Sequence, residues 1–223
     1  MTRTKIRDRI LPRYTRGEEV FNMVTHIVGG GFGVLALVAL VIYSAICKDA
    51  WAVVGSSIYG ASLIMLYTMS SVYHGLKHKT AKKVMQVLDH CTIYFLIAGT
   101  YTPILLSAIR PVRPFLAWTV FGIEWGLTAL AVTLTAIDLK KYRVFSFVSY
   151  IGMGWCIIFA AKATIEALTL SGFLWILAGG ISYTLGAVFF GVGKKIKYMH
   201  SVFHIFVVIG SVLQFIGIIL YVL

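Results

Sequence analysis

The 223 residues are 59% hydrophobic and only 13% charged, with a mean hydropathy of +0.89, whereas a soluble domain carries about 25% charged residues. Apolar runs of about twenty residues and more exclude an ordinary soluble domain, and the lack of ten-residue alternating segments excludes a membrane barrel. The net charge of +12 sits in the gaps between those runs, so membrane topology accounts for it and no nucleic-acid partner is expected.

Residues 1–19 form a basic segment with Arg3, Lys5, Arg7, Arg9, Arg13 and Arg16. The run that follows, 20–46, is too long for a signal-peptide core, so no cleavage is expected. Two readings of the segment stay open: Ile6, Ile10, Leu11 and Tyr14 lay it on an anionic membrane surface, or it is a mobile basic tail. Residues 20–223 read as one domain of seven membrane spans, at 20–46, 51–73, 84–109, 114–136, 144–161, 172–192 and 198–222. Each is long enough to cross a core of ~30 Å, the fifth being the shortest. Short links make neighbouring helices antiparallel. Gly29, Gly30, Gly31 and Gly33 follow no strand and read as close helix packing in the first span. Pro103 predicts a kink in the third. Cys47, Cys91 and Cys156 are too scattered for a disulfide framework and read as small buried packing residues.

Lys and Arg counts set the orientation. Six lie in the N-terminal segment, four between spans two and three, three after span four and three after span six (Lys194, Lys195, Lys197), sixteen on one face. The other face holds four: Lys48, Arg110, Arg113 and Lys162. The expectation is a cytoplasmic N-terminus and an external C-terminus.

Against that frame the ionisable residues fall into one layer. His74 ends span two, Asp89 opens span three, and His200 and His204 open span seven, each roughly 4–11 Å from its nearest lysine along the helix. His200 and His204 are four apart and so share a helix face, with Cβ atoms roughly 5–6 Å apart. Embedded ionisable groups usually face the bundle interior with a partner. Three imidazoles with a nearby carboxylate match a catalytic-type zinc site, which has three protein ligands and one open position. Ser70, one turn before His74, is either a hydroxyl supporting that site or one bonded back to its own helix. Asn22 and His26, with Glu18 and Glu19 before them, are either support for the ligands or a helix-cap region. His90 is rotated about 100° from Asp89 and is not expected at the same ion, and His78 reads as solvated. Glu124 stands apart, mid-span in helix four.

Asn22-x3-His26, Ser70-x3-His74, Asp89 with Ile93-Tyr94 and Ala98 to Pro103, and His200-x3-His204 together resemble the haemolysin III proteins. These are the bacterial branch of the progestin and adipoQ receptor superfamily, and the resemblance runs over essentially the whole chain. It implies a seven-helix bundle of the bacterial cell membrane, with Zn2+ held by His74, His200 and His204. It further implies that Asp89 and Ser70 contact the reacting water, and that membrane lipids, rather than a soluble protein, are the partners. Eukaryotic relatives are similar to alkaline ceramidases, and the bacterial branch is linked to cytolysis and to lipid homeostasis. The link from His74 to Asp89 is too short for an extra helix. Three functions follow as candidates: a zinc-dependent hydrolase of lipid amides or esters, a zinc-stabilised membrane sensor, and a pore. Seven apolar spans argue against the last, because a secreted toxin must be soluble before it inserts.

Overall fold

The computed structural model describes residues 4–193 and 196–223. The charge-tally residues Arg3, Lys194 and Lys195 lie outside the described residues. Among the described residues six helices are long and apolar enough to cross a membrane: α1 (Arg16–Cys47), α2 (Ala50–Gly75), α3 (Lys79–Val112), α4 (Pro114–Ile137), α6 (Ala161–Val192) and α7 (Met199–Val222). A shorter apolar helix, α5 (Arg143–Ile158), lies between α4 and α6. Among the described residues there is no strand, because backbone in hydrocarbon must satisfy its own hydrogen bonds.

The helix starts are built by local chemistry. Thr15 and Glu18 form a capping box on α1: Thr15 Oγ1 accepts from Glu18 N–H at 3.2 Å, and Thr15 N–H donates to Glu18 Oε2 at 2.8 Å. Asp49 caps α2 through Ala52 N–H. Exposed His78 caps α3 through Ala81 N–H, so the residue expected to be merely solvated has a structural partner.

The fifth crossing is composite. α5 breaks after Gly154, and the backbone groups freed there are met by Tyr101, whose hydroxyl accepts from Ile157 N–H at 2.8 Å and donates to Gly154 carbonyl at 3.0 Å. α6 in turn breaks at Thr169, a non-glycine residue at φ 66° and ψ 168°, a strained conformation for a β-branched side chain. Its first arm, 161–168, carries Glu166, which is ion-paired to Arg113 at 3.0 Å at the end of the bundle opposite Arg143. The chain from 143 to 168 therefore crosses once, and the seven expected crossings are present, the fifth reaching further than expected.

Packing closes α1 on α2, α2 on α3, α3 on α4, α6 on α7 and α1 on α7, while α5 leans on α3 and α4. A Cβ on Gly29 would stand 2.5 Å from the Tyr67 ring, and one on Gly33 3.3 Å from Leu63 Cβ, whereas Gly31 meets nothing within 4 Å. So two of the four clustered glycines make the close packing read from the sequence. Pro103 is followed by a π-helical stretch, Ile104–Ile109, and its Cα would stand 2.7 Å from a Cβ on Gly55. The proline irregularity is thus seated in a glycine notch of α2. Of the cysteines, Cys91 is buried and Cys156 half-buried, but Cys47 is exposed at the end of α1, which corrects its reading as a buried packing residue.

Candidate metal centre

Three helix ends meet at the basic end of the bundle, and each carries its own positioning device. α7 begins at Tyr198 in the left-handed conformation, φ 63°, which costs roughly 1–2 kcal/mol for a residue with a Cβ. Tyr198 N–H donates to Glu18 Oε1 at 2.7 Å, so the carboxylate that caps α1 also pins the start of α7. Asn22, fully buried, accepts from Ser201 Oγ at 2.7 Å. These two contacts lock α7 against α1 and set the rotation that turns His200 and His204 inward.

His74, His200 and His204 are all buried, and each offers a ring nitrogen within 4.8 Å of the other two. The Nε2 atoms of His200 and His204 face each other at 3.2 Å. Two imidazoles on one tetrahedral zinc at ~2.0–2.1 Å would hold their nitrogens roughly 3.3 Å apart. His74 Nδ1 donates to Glu19 Oε2 at 2.7 Å, and Glu19 Oε1 accepts from Lys82 Nζ at 2.6 Å. That bond fixes the tautomer, so the lone pair of His74 falls on Nε2, which is buried without a hydrogen-bond partner. A carboxylate behind a ligating histidine is the usual support of a metal centre. The donor set therefore fits one transition-metal ion with three protein ligands.

His26 stacks on His204 with centroids 3.8 Å apart, and Tyr14 stacks on His200 at 4.9 Å. Burial pushes the Tyr14 phenol well above its ordinary range, and the carboxylates of Asp89, Glu19 and Glu18 push it further. Tyr14 is thus a neutral ring laid over His200.

A cavity of about 740 Å³ opens beside the histidines, lined by His26, Ser70, Asp89, His90, His200 and His204 among others, and runs inward to Tyr101, Trp155 and Gln214. Its size is that of a small-molecule site, and most of its wall is apolar. Asp89 lies on this wall but outside the three-histidine group; its closest ionic neighbour is His90 Nδ1 at 3.8 Å. Ser70 is buried on the same wall, one turn from His74. His90 bonds back to Gln86 carbonyl and stays out of the group. Glu124 is fully buried elsewhere, with neither carboxyl oxygen in a hydrogen bond of standard geometry. The sequence layer thus resolves into three imidazoles from α2 and α7 that could hold a metal ion, a carboxylate wall residue from α3, and a carboxylate from α1 bonded to His74. The separate jobs of Glu18 and Glu19 are the part that reading missed; the pair was visible, but only the tertiary fold tells a cap from a histidine partner.

Residues 14–215 match the family model described as haemolysin-III related. The chain is 40% identical to Hemolysin-3 of Bacillus cereus over 206 residues, 92% of either chain. It is 36% identical to a Hemolysin-3 homolog of Bacillus subtilis over 208 residues, covering 93% of this chain and 96% of that one. A more distant relative is human monocyte to macrophage differentiation factor, 28% identical over 189 residues, 81% of this chain and 75% of that one.

Proposed function

The chain belongs to the haemolysin III family of multi-pass membrane proteins, and from that premise we propose that it is a zinc-dependent hydrolase of membrane lipid amides or esters. The observation that carries the proposal is the coincidence of three buried imidazoles with a large, mostly apolar cavity whose wall holds a carboxylate, Asp89. His74, His200 and His204 would hold the ion. Zn2+ in such a site supplies a polarised carbonyl and a water acidic enough to react near neutral pH. Three protein ligands, rather than four, favour this over a purely structural ion.

The remaining work falls to the chain. Asp89 accepts the proton of the attacking water at a carboxylate oxygen and returns it to the leaving amine or alcohol, as a general base and then acid. Ser70 orients that water. Glu19 holds His74 in one tautomer, and the stacked rings of Tyr14 and His26 keep bulk water away. The apolar wall, through Ile93, Ile97, Phe203 and Val207 among others, holds acyl chains while the reacting bond lies beside the histidines. The charge asymmetry supports a position for this end of the bundle at the cytoplasmic headgroup level, where lipid amides and esters sit.

The test is turnover of a panel of acyl-amide and ester lipids by the purified protein. Hydrolysis that disappears in Asp89→Asn, with the metal still bound, is the expected result. A fully metallated parent that hydrolyses none of them would leave the centre as a stabilising or sensing device instead.

A further inference from the structure

We propose that Arg9 anchors a phosphate-recognition site at the mouth of the cavity, taking the headgroup phosphate of a membrane lipid whose acyl chains enter the apolar interior. This rests on the cavity's being a lipid site, and it narrows the substrate class to phosphate-bearing acyl lipids.

The N-terminal segment is tied to the bundle as a strap. Thr4 N–H donates to Asp138 Oδ2 at 2.7 Å, just beyond α4. Lys83 Nζ on α3 donates to Arg7 carbonyl at 2.6 Å. Tyr14 lies on His200. Between these anchors Arg9 turns into the cavity, where it is only 8% exposed. Its Nε and Nη1 are buried with no hydrogen-bond partner, and among the described residues it makes no ion pair. A guanidinium does not shed its proton, so a buried one requires an anion or a set of acceptors.

The surroundings say which. Lys140 and Arg143 line the same cavity, against the acids Asp8 and Asp89. Asp8 is largely exposed beside Arg7 at 3.6 Å, and Asp89 lies beside His90. Lys140 and Arg143 offset those two acids, so the charge of Arg9 itself is left over in the lining, and the guanidinium fork matches a phosphate bidentately. The strap runs along the basic end, the depth at which lipid phosphates lie. Arg9, His200 and His204 line one cavity, so one lipid can present its phosphate to Arg9 and an acyl bond to the metal centre.

The experiment measures binding, not turnover, on the full metallated protein in detergent. The probes are dioctanoyl phosphatidate, dioctanoylglycerol, decanoate and inorganic phosphate, titrated calorimetrically into the parent, Arg9→Gln and Arg9→Lys. Phosphatidate should bind at least about tenfold more tightly than dioctanoylglycerol; Arg9→Gln should erase that preference and Arg9→Lys restore part of it. Amide exchange over residues 4–15 confirms that the strap stays docked in both variants. Equal phosphatidate binding by parent and Arg9→Gln overturns the proposal. So does decanoate with the same dependence on Arg9, which makes it a carboxylate site, or inorganic phosphate bound as tightly as phosphatidate, which makes it a free-anion site. Arg9-dependent phosphatidate binding by a protein that hydrolyses nothing would sink the hydrolase and keep this site.

Discussion

Replacing Glu19 should weaken the metal centre without touching a ligand. The carboxylate accepts two charge-assisted hydrogen bonds, from His74 Nδ1 at 2.7 Å and Lys82 Nζ at 2.6 Å. Glu19→Gln keeps the shape but offers one oxygen where two are needed, and it removes the charge that makes His74 a better donor of its Nε2 lone pair. Loss of such support costs about 10–100-fold in metal affinity, or about 1.4–2.8 kcal/mol. The Glu19 side chain is 21% exposed, so water screens part of its charge and the glutamine variant should fall in the lower half of that range. Glu19→Ala also leaves a buried ring N–H unpaired and the imidazole free to turn, so it should reach the upper end. Lys82→Met removes only the outer partner and should weaken binding less than either. Competition titration with a chromogenic zinc chelator reads all three. A Glu19→Gln protein that binds zinc within twofold of the parent would refute the view that this carboxylate orients His74.

Three further outcomes follow from the same geometry. Tyr14→Ala should strip its metal to a chelator several-fold faster than the parent, because the ring on His200 is gone, while Tyr14→Phe should behave as the parent; equal stripping rates in all three would deny Tyr14 the role of lid. Gly55→Ala should lower stability by about 1–3 kcal/mol, since its Cβ would stand 2.7 Å from Pro103 Cα, while Gly31→Ala should be close to neutral; thermal unfolding in detergent decides, and no difference between the two would contradict the α2–α3 notch. Burial alone would raise the Asp138 carboxyl, but hydrogen bonds from Thr4, Lys141 and Lys140 hold it down at about 2. A depressed folded-state pKa stabilises above the ordinary carboxylate range and fades as pH falls through about 2, so the melting-temperature gap between the parent and Asp138→Asn should close from about pH 4 to pH 2. A gap that persists below pH 2 would argue against an ionised clasp.

The apolar runs and basic gaps made the seven crossings legible, because length and hydropathy alone decide what spans a bilayer. The i, i+4 pair His200 and His204 was legible for the same reason: helical periodicity fixes what shares a face. The break at Thr169 was not, since neither a glycine nor a proline stands at that position to mark it. Nor was the strap. Arg9 reads as one more basic residue in a polar stretch, and only the clasp between Thr4 and Asp138, 134 residues apart, turns it inward. Depth along the helices brought Asp89 to the level of the three imidazoles, but only the fold shows that its carboxylate lines the cavity outside the three-histidine group.

The central claim is that His74, His200 and His204 hold one metal ion, and metal content per chain tests it most directly. Protein purified in detergent without chelators should carry about one zinc by mass spectrometry, and His204→Ala, folded by its unfolding profile, should carry almost none. A folded parent without metal, or a His204→Ala protein with as much zinc as the parent, would contradict it.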